Sequence, residues 1–127
     1  MNNIIVGSIN LEIFKFISND IITDEVVITD KQLAHIIEKH SKDYEMYSDF
    51  IPEILNSPDY ILEANKPNSA VLLKEVVCNN EKIQLILRFK TSTDPGEYKN
   101  SIITFMKIRN KEWNRLLKNK IILYSAA

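Results

Sequence analysis

One stretch limits the folds open to this chain more than any other. From Ala70 to Lys90, two runs rich in strand-forming residues flank a polar break at Asn79-Asn80-Glu81. In the second run Ile83, Leu85, Leu87 and Phe89 alternate with Lys82, Gln84, Arg88 and Lys90, and Ile86 is the one apolar residue on the polar side. Successive side chains of a strand point to opposite faces, so the pattern predicts a hairpin in a sheet with one dry face and one wet, cationic face. Loop length sets what the wet face holds. A two-residue loop pairs Cys78 with Glu81 and puts Lys74 opposite Leu85, away from Arg88. A three-residue loop with Asn80 in the left-handed region pairs Cys78 with Lys82, and sets Lys74 opposite Ile86 and Leu72 opposite Arg88. The longer loop is the expectation, because asparagine tolerates positive φ and the shorter loop puts Lys74 among large apolar side chains. Lys74, Gln84 and Arg88 then share a face.

The length of 127 residues predicts one domain over 1–127, and the 45% apolar and 26% charged content is that of an ordinary globular protein. No run approaches the roughly 18 apolar residues of a membrane span, and the N-terminus lacks the basic and apolar regions of a secretory signal. No membrane partner is therefore expected, and the cytoplasm is the expected compartment. The single Cys78 excludes an internal disulfide. With only two histidines no structural zinc site is expected, and neither metal nor cofactor is assigned.

The formal charge of −1 conceals a division. Residues 1–65 hold four lysines against twelve carboxylates, a balance of −8, whereas residues 66–127 hold twelve cations against five carboxylates, a balance of +7. The cations are concentrated in the sheet half, which suggests a polyanion-facing side on an acidic body. The plainer reading is that acidic helices pack on a basic sheet.

Taken in order, Asn2–Val6 is a short apolar run closed by Gly7, and Leu11–Ile17 fits helix or strand equally. Glu25–Ile28 is brief and β-rich. Thr29 and Gln32 fit a capping box that opens a helix to about His40, with Leu33, Ile36, Ile37 and His40 on one stripe. His35 and His40 are five residues apart, about 140° around that helix, so they do not act as a pair from one face. His40 lies at the expected C-terminal end, where the helix dipole favours a protonated ring. Asp43–Leu55 reads as a second helix that Pro52 kinks or restarts. Tyr60–Glu63 is a strand and Asn65–Ser69 a turn. Thr91–Asn100 is a ten-residue polar loop of the kind that serves as a lid or binding segment. Ser101–Ile108 is a strand in which Thr104 shares a face with Ile102 and Met106. Lys111–Lys118 is a helix capped by Asn110 with Trp113, Leu116 and Leu117 inward, and Lys120–Tyr124 closes the sheet.

The series Ile28-Thr29 to His35 and His40, Ser57-Pro58-Asp59-Tyr60, Lys74, Leu87-Arg88, Asp94-Pro95-Gly96-Glu97-Tyr98 and Asn100-Ser101-Ile102-Ile103-Thr104 resembles the phage-type nuclease domains grouped with barnase, EndoU, colicin tRNases and RelE toxins. The likeness covers residues 22–124. It implies an α+β fold, with N-terminal helices packed on a twisted antiparallel sheet of about four strands and the site on the exposed face. It also implies metal-independent RNA cleavage, in which a 2′-OH attacks its own phosphate and leaves a 2′,3′-cyclic phosphate and a 5′-OH. That chemistry needs a base, a cation for the phosphorane and an acid for the leaving oxygen. The residues implied are His35 or His40 as base or acid, Arg88 as a bidentate clamp and Lys74 as a second cation. Ser101, Thr104, Tyr98 and Lys90 are the implied substrate contacts. The implied partners are RNA (a tRNA or an mRNA) and an immunity protein or phage structural protein. A noncatalytic RNA- or protein-binding module on the same fold, and a small-molecule binding protein, are the competing readings.

Overall fold

The computed structural model describes residues 3–76 and 80–126, and in it the expected hairpin forms the middle of a larger sheet. The strands are β1 (Asn3–Ser8), β2 (Glu25–Thr29), β3 (Tyr60–Glu63), β4 (Ser69–Val76), β5 (Glu81–Arg88), β6 (Asn100–Ile108) and β7 (Ile122–Ser125). Their order is β1-β2-β6-β5-β4-β3-β7, seven strands where about four were expected. The antiparallel meander β3-β4-β5-β6 is the expected core of the sheet. The short apolar run at the N-terminus, the β-rich 25–29 segment and the closing segment add the other three. One pair, β2 with β6, is parallel.

The hairpin register differs from both expectations. Val76 pairs with Glu81, Lys74 with Ile83, Leu72 with Leu85 and Ser69 with Arg88. Cys78, through which both expected pairings ran, lies outside the described residues. Asn80 does take positive φ, at 52°, as its side chain allows. The observed pairing keeps the parity of the shorter loop, so Lys74 and Arg88 lie on opposite faces of the sheet. In β6 the register shifts between Ile86 and Leu87: Ile86 faces Thr104, while Leu87 faces Ile102 and Arg88 faces Ser101. This bulge leaves Thr104 on the face of Arg88 and Ser101, rather than beside Ile102 as a regular alternation would have it.

Helices cover both faces. Thr29 caps α2 (Asp30–Tyr47), its hydroxyl accepting the Gln32 N–H at 3.2 Å. As expected, the first helical run ends at about His40, whose φ of −142° and ψ of 42° are not helical, and a second run continues across this kink to Tyr47. A 3-10 turn at Ser48–Phe50 precedes α3 (Ile51–Asn56), which restarts with Pro52 in its first turn, where no N–H is needed. The stretch that fitted helix or strand is the short α1 (Leu11–Phe14), whose Phe14 ring meets Phe89 edge-on at 5.8 Å. Together α1, α2 and α3 bury Phe14, Ile36, Ile54 and Leu55 against Ile28, Leu72, Leu85 and Phe105. At Gly7 an added Cβ would meet Leu55 Cδ1 at 3.1 Å, so the missing side chain lets α3 approach β1.

The other face, expected to be open, is half covered. There α4 (Asn110–Asn119) buries Trp113 and Leu116 against Leu62, Val71, Leu73 and Ile108. Its N-cap is Arg109, with no side-chain cap, where Asn110 was expected. The amphipathic stripe, rather than a cap, carries this helix. Among the described residues no helix is long and apolar enough to cross a membrane.

Candidate functional site

What α4 leaves uncovered is a cleft of about 600 Å³ over the β4–β5–β6 face. Val71, Ile86 and Ile103 lie on the sheet side, Leu116 and Arg115 belong to α4, and Lys66 to the turn before β4. Asn68, at φ 59°, bends that turn, and its carbonyl accepts the Phe89 N–H at 2.8 Å. Gln32 reaches the same cleft from the start of α2. Four cations line it, Arg88, Arg115, Lys66 and Lys120, with Glu112 paired to Arg115 and Asp94 to Arg88. The half-chain division of charge is partly consumed elsewhere. Among the described residues, six of the twelve cations after residue 65 have a carboxylate within 4.0 Å, and two of those, Lys74 and Lys99, pair with carboxylates of the acidic half.

Arg88 is the best-defined group in the cleft. Its guanidinium donates to both oxygens of Asp94, at 2.8 and 3.1 Å, and to the Phe89 carbonyl at 2.6 Å. Asp94 also accepts the Thr91 N–H at 2.8 Å and the Thr91 hydroxyl at 3.2 Å. The Arg88 hydrogen bonds, followed by that Thr91 N–H, hold the Asp94 carboxyl down at about 2, and the same pairing raises Arg88 above its ordinary value. The ordinary carboxyl value is 3.8, so the contribution of Asp94 to stability is whole above that and fades as the folded group protonates toward about 2. The gap in melting temperature between wild type and Asp94→Asn is expected to be full at about pH 6 and to close between about pH 4 and pH 2. A gap that stays constant across that range would mean that the carboxylate is not what holds the loop.

The rest of the 91–99 loop is tied down at its base. Asp20 accepts the Ser92 N–H and hydroxyl, and Lys99 bonds Glu25 at 2.7 Å. The wholly buried Asn100 accepts the Lys90 N–H at 2.8 Å and donates to the Thr23 carbonyl at 2.7 Å. Pro95, Gly96, Glu97 and Tyr98 at the tip of the loop are exposed.

The expected set does not converge as a whole. Ser101 and Thr104 do join the face of Arg88, through the β6 bulge. Lys90 follows Arg88 at the same parity and is half-buried, beyond the end of β5. Lys74 does not join them. It lies on the helix-covered face, where its ammonium donates to the Ser57 carbonyl at 2.7 Å and to Asp59 at 3.4 Å, with Glu53 at 4.0 Å. Its stem crosses apolar surface while the charge reaches these oxygens, which is how a lysine fits the register that seemed to bury it. Lys74→Ala is accordingly expected to cost about 2 kcal/mol in denaturant unfolding, through loss of charge-assisted hydrogen bonds, and to leave activity intact. A stable but inactive variant would return Lys74 to the site.

Neither histidine lines the cleft. His40 is half-buried, with Nδ1 4.0 Å from Asp43, whose carboxylate accepts the Lys107 N–H at 3.1 Å. His35 is exposed and lies three residues beyond Gln32, on the same flank of α2. The alternation in β5 was enough to find Arg88. Arg115, Lys66 and Lys120 were missed because only the packing of α4 and the 65–69 turn brings them to the sheet. Among the described residues no three His, Cys, Asp or Glu side chains are grouped closely enough to hold a metal ion.

Compared with known families, residues 6–125 match the sequence model of PBECR2, described as phage-Barnase-EndoU-ColicinE5/D-RelE like nuclease2. Neither the curated proteins nor the solved structures give a match.

Proposed function

Because the chain belongs to the PBECR2 family of phage-Barnase-EndoU-ColicinE5/D-RelE like nucleases, we propose that it is a metal-independent endoribonuclease of phage or toxin type that holds an RNA phosphodiester against Arg88. The observation that carries this reading is the β6 bulge, which aligns Ser101 and Thr104 with Arg88 beside a cleft rich in cations. A guanidinium fork makes two parallel bonds to phosphate oxygens, and the hydroxyls supply lateral contacts. In the reaction the 2′-oxygen forms a bond to phosphorus and the P–O5′ bond breaks. We assign the base that takes the 2′ proton to His35, on the flank of α2 that delivers Gln32 to the cleft, and the return of a proton to O5′ to Tyr98. His40, turned toward Asp43, is left out of the reaction.

Cleavage of a structured RNA in EDTA tests this. His35→Ala is expected to lose at least about 10²-fold in rate and His40→Ala to stay near wild type. Products should end in 2′,3′-cyclic phosphate, and a 2′-deoxy substitution at the scissile nucleotide should block the reaction. Cleavage that stops in EDTA and returns with a divalent cation would overturn the metal-free mechanism.

A second reading is favoured by the absence of histidine from the cleft lining and by the carboxylate already seated on Arg88. In it the domain binds RNA or a protein without cutting. Salt-dependent RNA binding with no wild-type cleavage would select it.

A further inference from the structure

The geometry points to Gln84 as the residue that reads the nucleobase, within an apolar base-binding subsite beside Arg88. This inference rests on the reading of the cleft as an RNA site. Val71, Ile86, Ile103 and Leu116 give the cleft an aliphatic surface, although cations and amides surround it. A phosphate has no use for such a surface, whereas the flat face of a base does. The volume of about 600 Å³ falls in the range of sites that enclose one small organic ligand, the size class of a single nucleotide.

Elimination leaves few groups able to recognise an edge. Glu112 and Arg115 are engaged with each other through two bonds, at 2.7 and 2.6 Å. The Asn65 side-chain oxygen accepts from Lys120 at 2.9 Å, and the Ser69 hydroxyl donates to the Lys66 carbonyl at 2.6 Å. Lysine and arginine only donate. Gln84 remains, together with Gln32: each lines the cleft, is half-buried, and has a side-chain amide with no hydrogen-bond partner among the described residues. Gln84 sits on β5 between Leu73 of β4 and Met106 of β6, neither of which offers it a strong partner. An amide both donates and accepts, which is what a base edge requires. Gln84 is two residues before Arg88's neighbour Ile86 on the same face, so base reader and phosphate clamp stand four residues apart, about 13 Å along the strand, with Ile86 between them as a platform. Both side chains are long enough to close on a nucleotide lying over Ile86.

The four nucleoside 3′-monophosphates, with ribose 5-phosphate as a base-free control, titrated calorimetrically into wild type, Gln84→Leu and Gln84→Glu provide the test. Wild type is expected to separate the best from the worst base by about tenfold. Gln84→Leu should compress that spread to within about twofold and melt no lower than wild type, since an apolar group replaces an unpaired amide. Gln84→Glu, which only accepts, should shift preference toward bases presenting an amino group. Unchanged preferences in both variants, or wild-type affinities no better than that of ribose 5-phosphate, would overturn the assignment. The ribonuclease reading fails separately: base discrimination that Gln84→Leu abolishes, in a protein that cuts no RNA, keeps the subsite and removes the catalysis.

Discussion

Arg88→Ala is expected to lower RNA cleavage by about 10²–10³-fold while shifting the melting temperature by only a few degrees. The two halves of this expectation have separate causes. Arg88 ends β5 with 37% of its side chain exposed, and its bonds run to Asp94 and to the neighbouring carbonyl. Its removal therefore loosens the base of the 91–99 loop without opening either core. On the proposed reading the phosphorane, by contrast, loses the donor fork that would exchange Asp94 for its oxygens, and losses of a single oxyanion donor in enzymes are of the stated size. Arg88→Lys should recover little, because an ammonium keeps the charge but cannot supply two parallel bonds. Steady-state kcat/KM on a defined RNA, measured beside thermal melting, checks both halves. An Arg88→Ala protein that melts normally and cuts at the wild-type rate would remove Arg88 from the chemistry altogether.

Trp113→Ala is expected to cost about 3–5 kcal/mol in denaturant unfolding. The ring is 7% exposed and belongs to the smaller of the two cores, with Leu62, Val71, Leu73, Ile108 and Leu116. It meets Tyr60 edge-on at 5.9 Å, and the Lys82 ammonium lies 5.4 Å above it, so its loss removes an aromatic pair and a cation–π contact along with the buried area. Because this core is small, few neighbours are available to close the cavity. α4 also forms one side of the cleft, so RNA binding should weaken in proportion as the helix loosens. A near-silent substitution would mean that α4 is not anchored through this ring.

Much of the fold was legible where a local rule acted alone. The Thr29 cap, the restart at Pro52, the positive φ of Asn80, the Tyr60–Glu63 strand and the inward Trp113 and Leu116 each follow from one side chain and its immediate neighbours. What failed depended on two segments at once. The register depends on how β4 meets β5, and Lys74 fits the apolar side because of the oxygens of Ser57 and Asp59, which only the packed structure brings to it. The β6 bulge has no sequence signal in Ile102-Ile103-Thr104, yet it decides which hydroxyl joins Arg88. For the same reason the strand alternation identified the cation of the candidate site but not its carboxylate partner Asp94, six residues along the chain in a polar loop.

That partner has a bearing on any anion that enters. A guanidinium already flat, oriented and neutralised by a resident carboxylate does not gain a ligand; it exchanges one. Affinity at such a position is the difference between two similar attractions, so an incoming anion is held only loosely. Weakly held ions such as chloride have too little to offer in the swap, whereas a multidentate polyanion, gripping at several points at once, can displace the occupant and release it again on leaving.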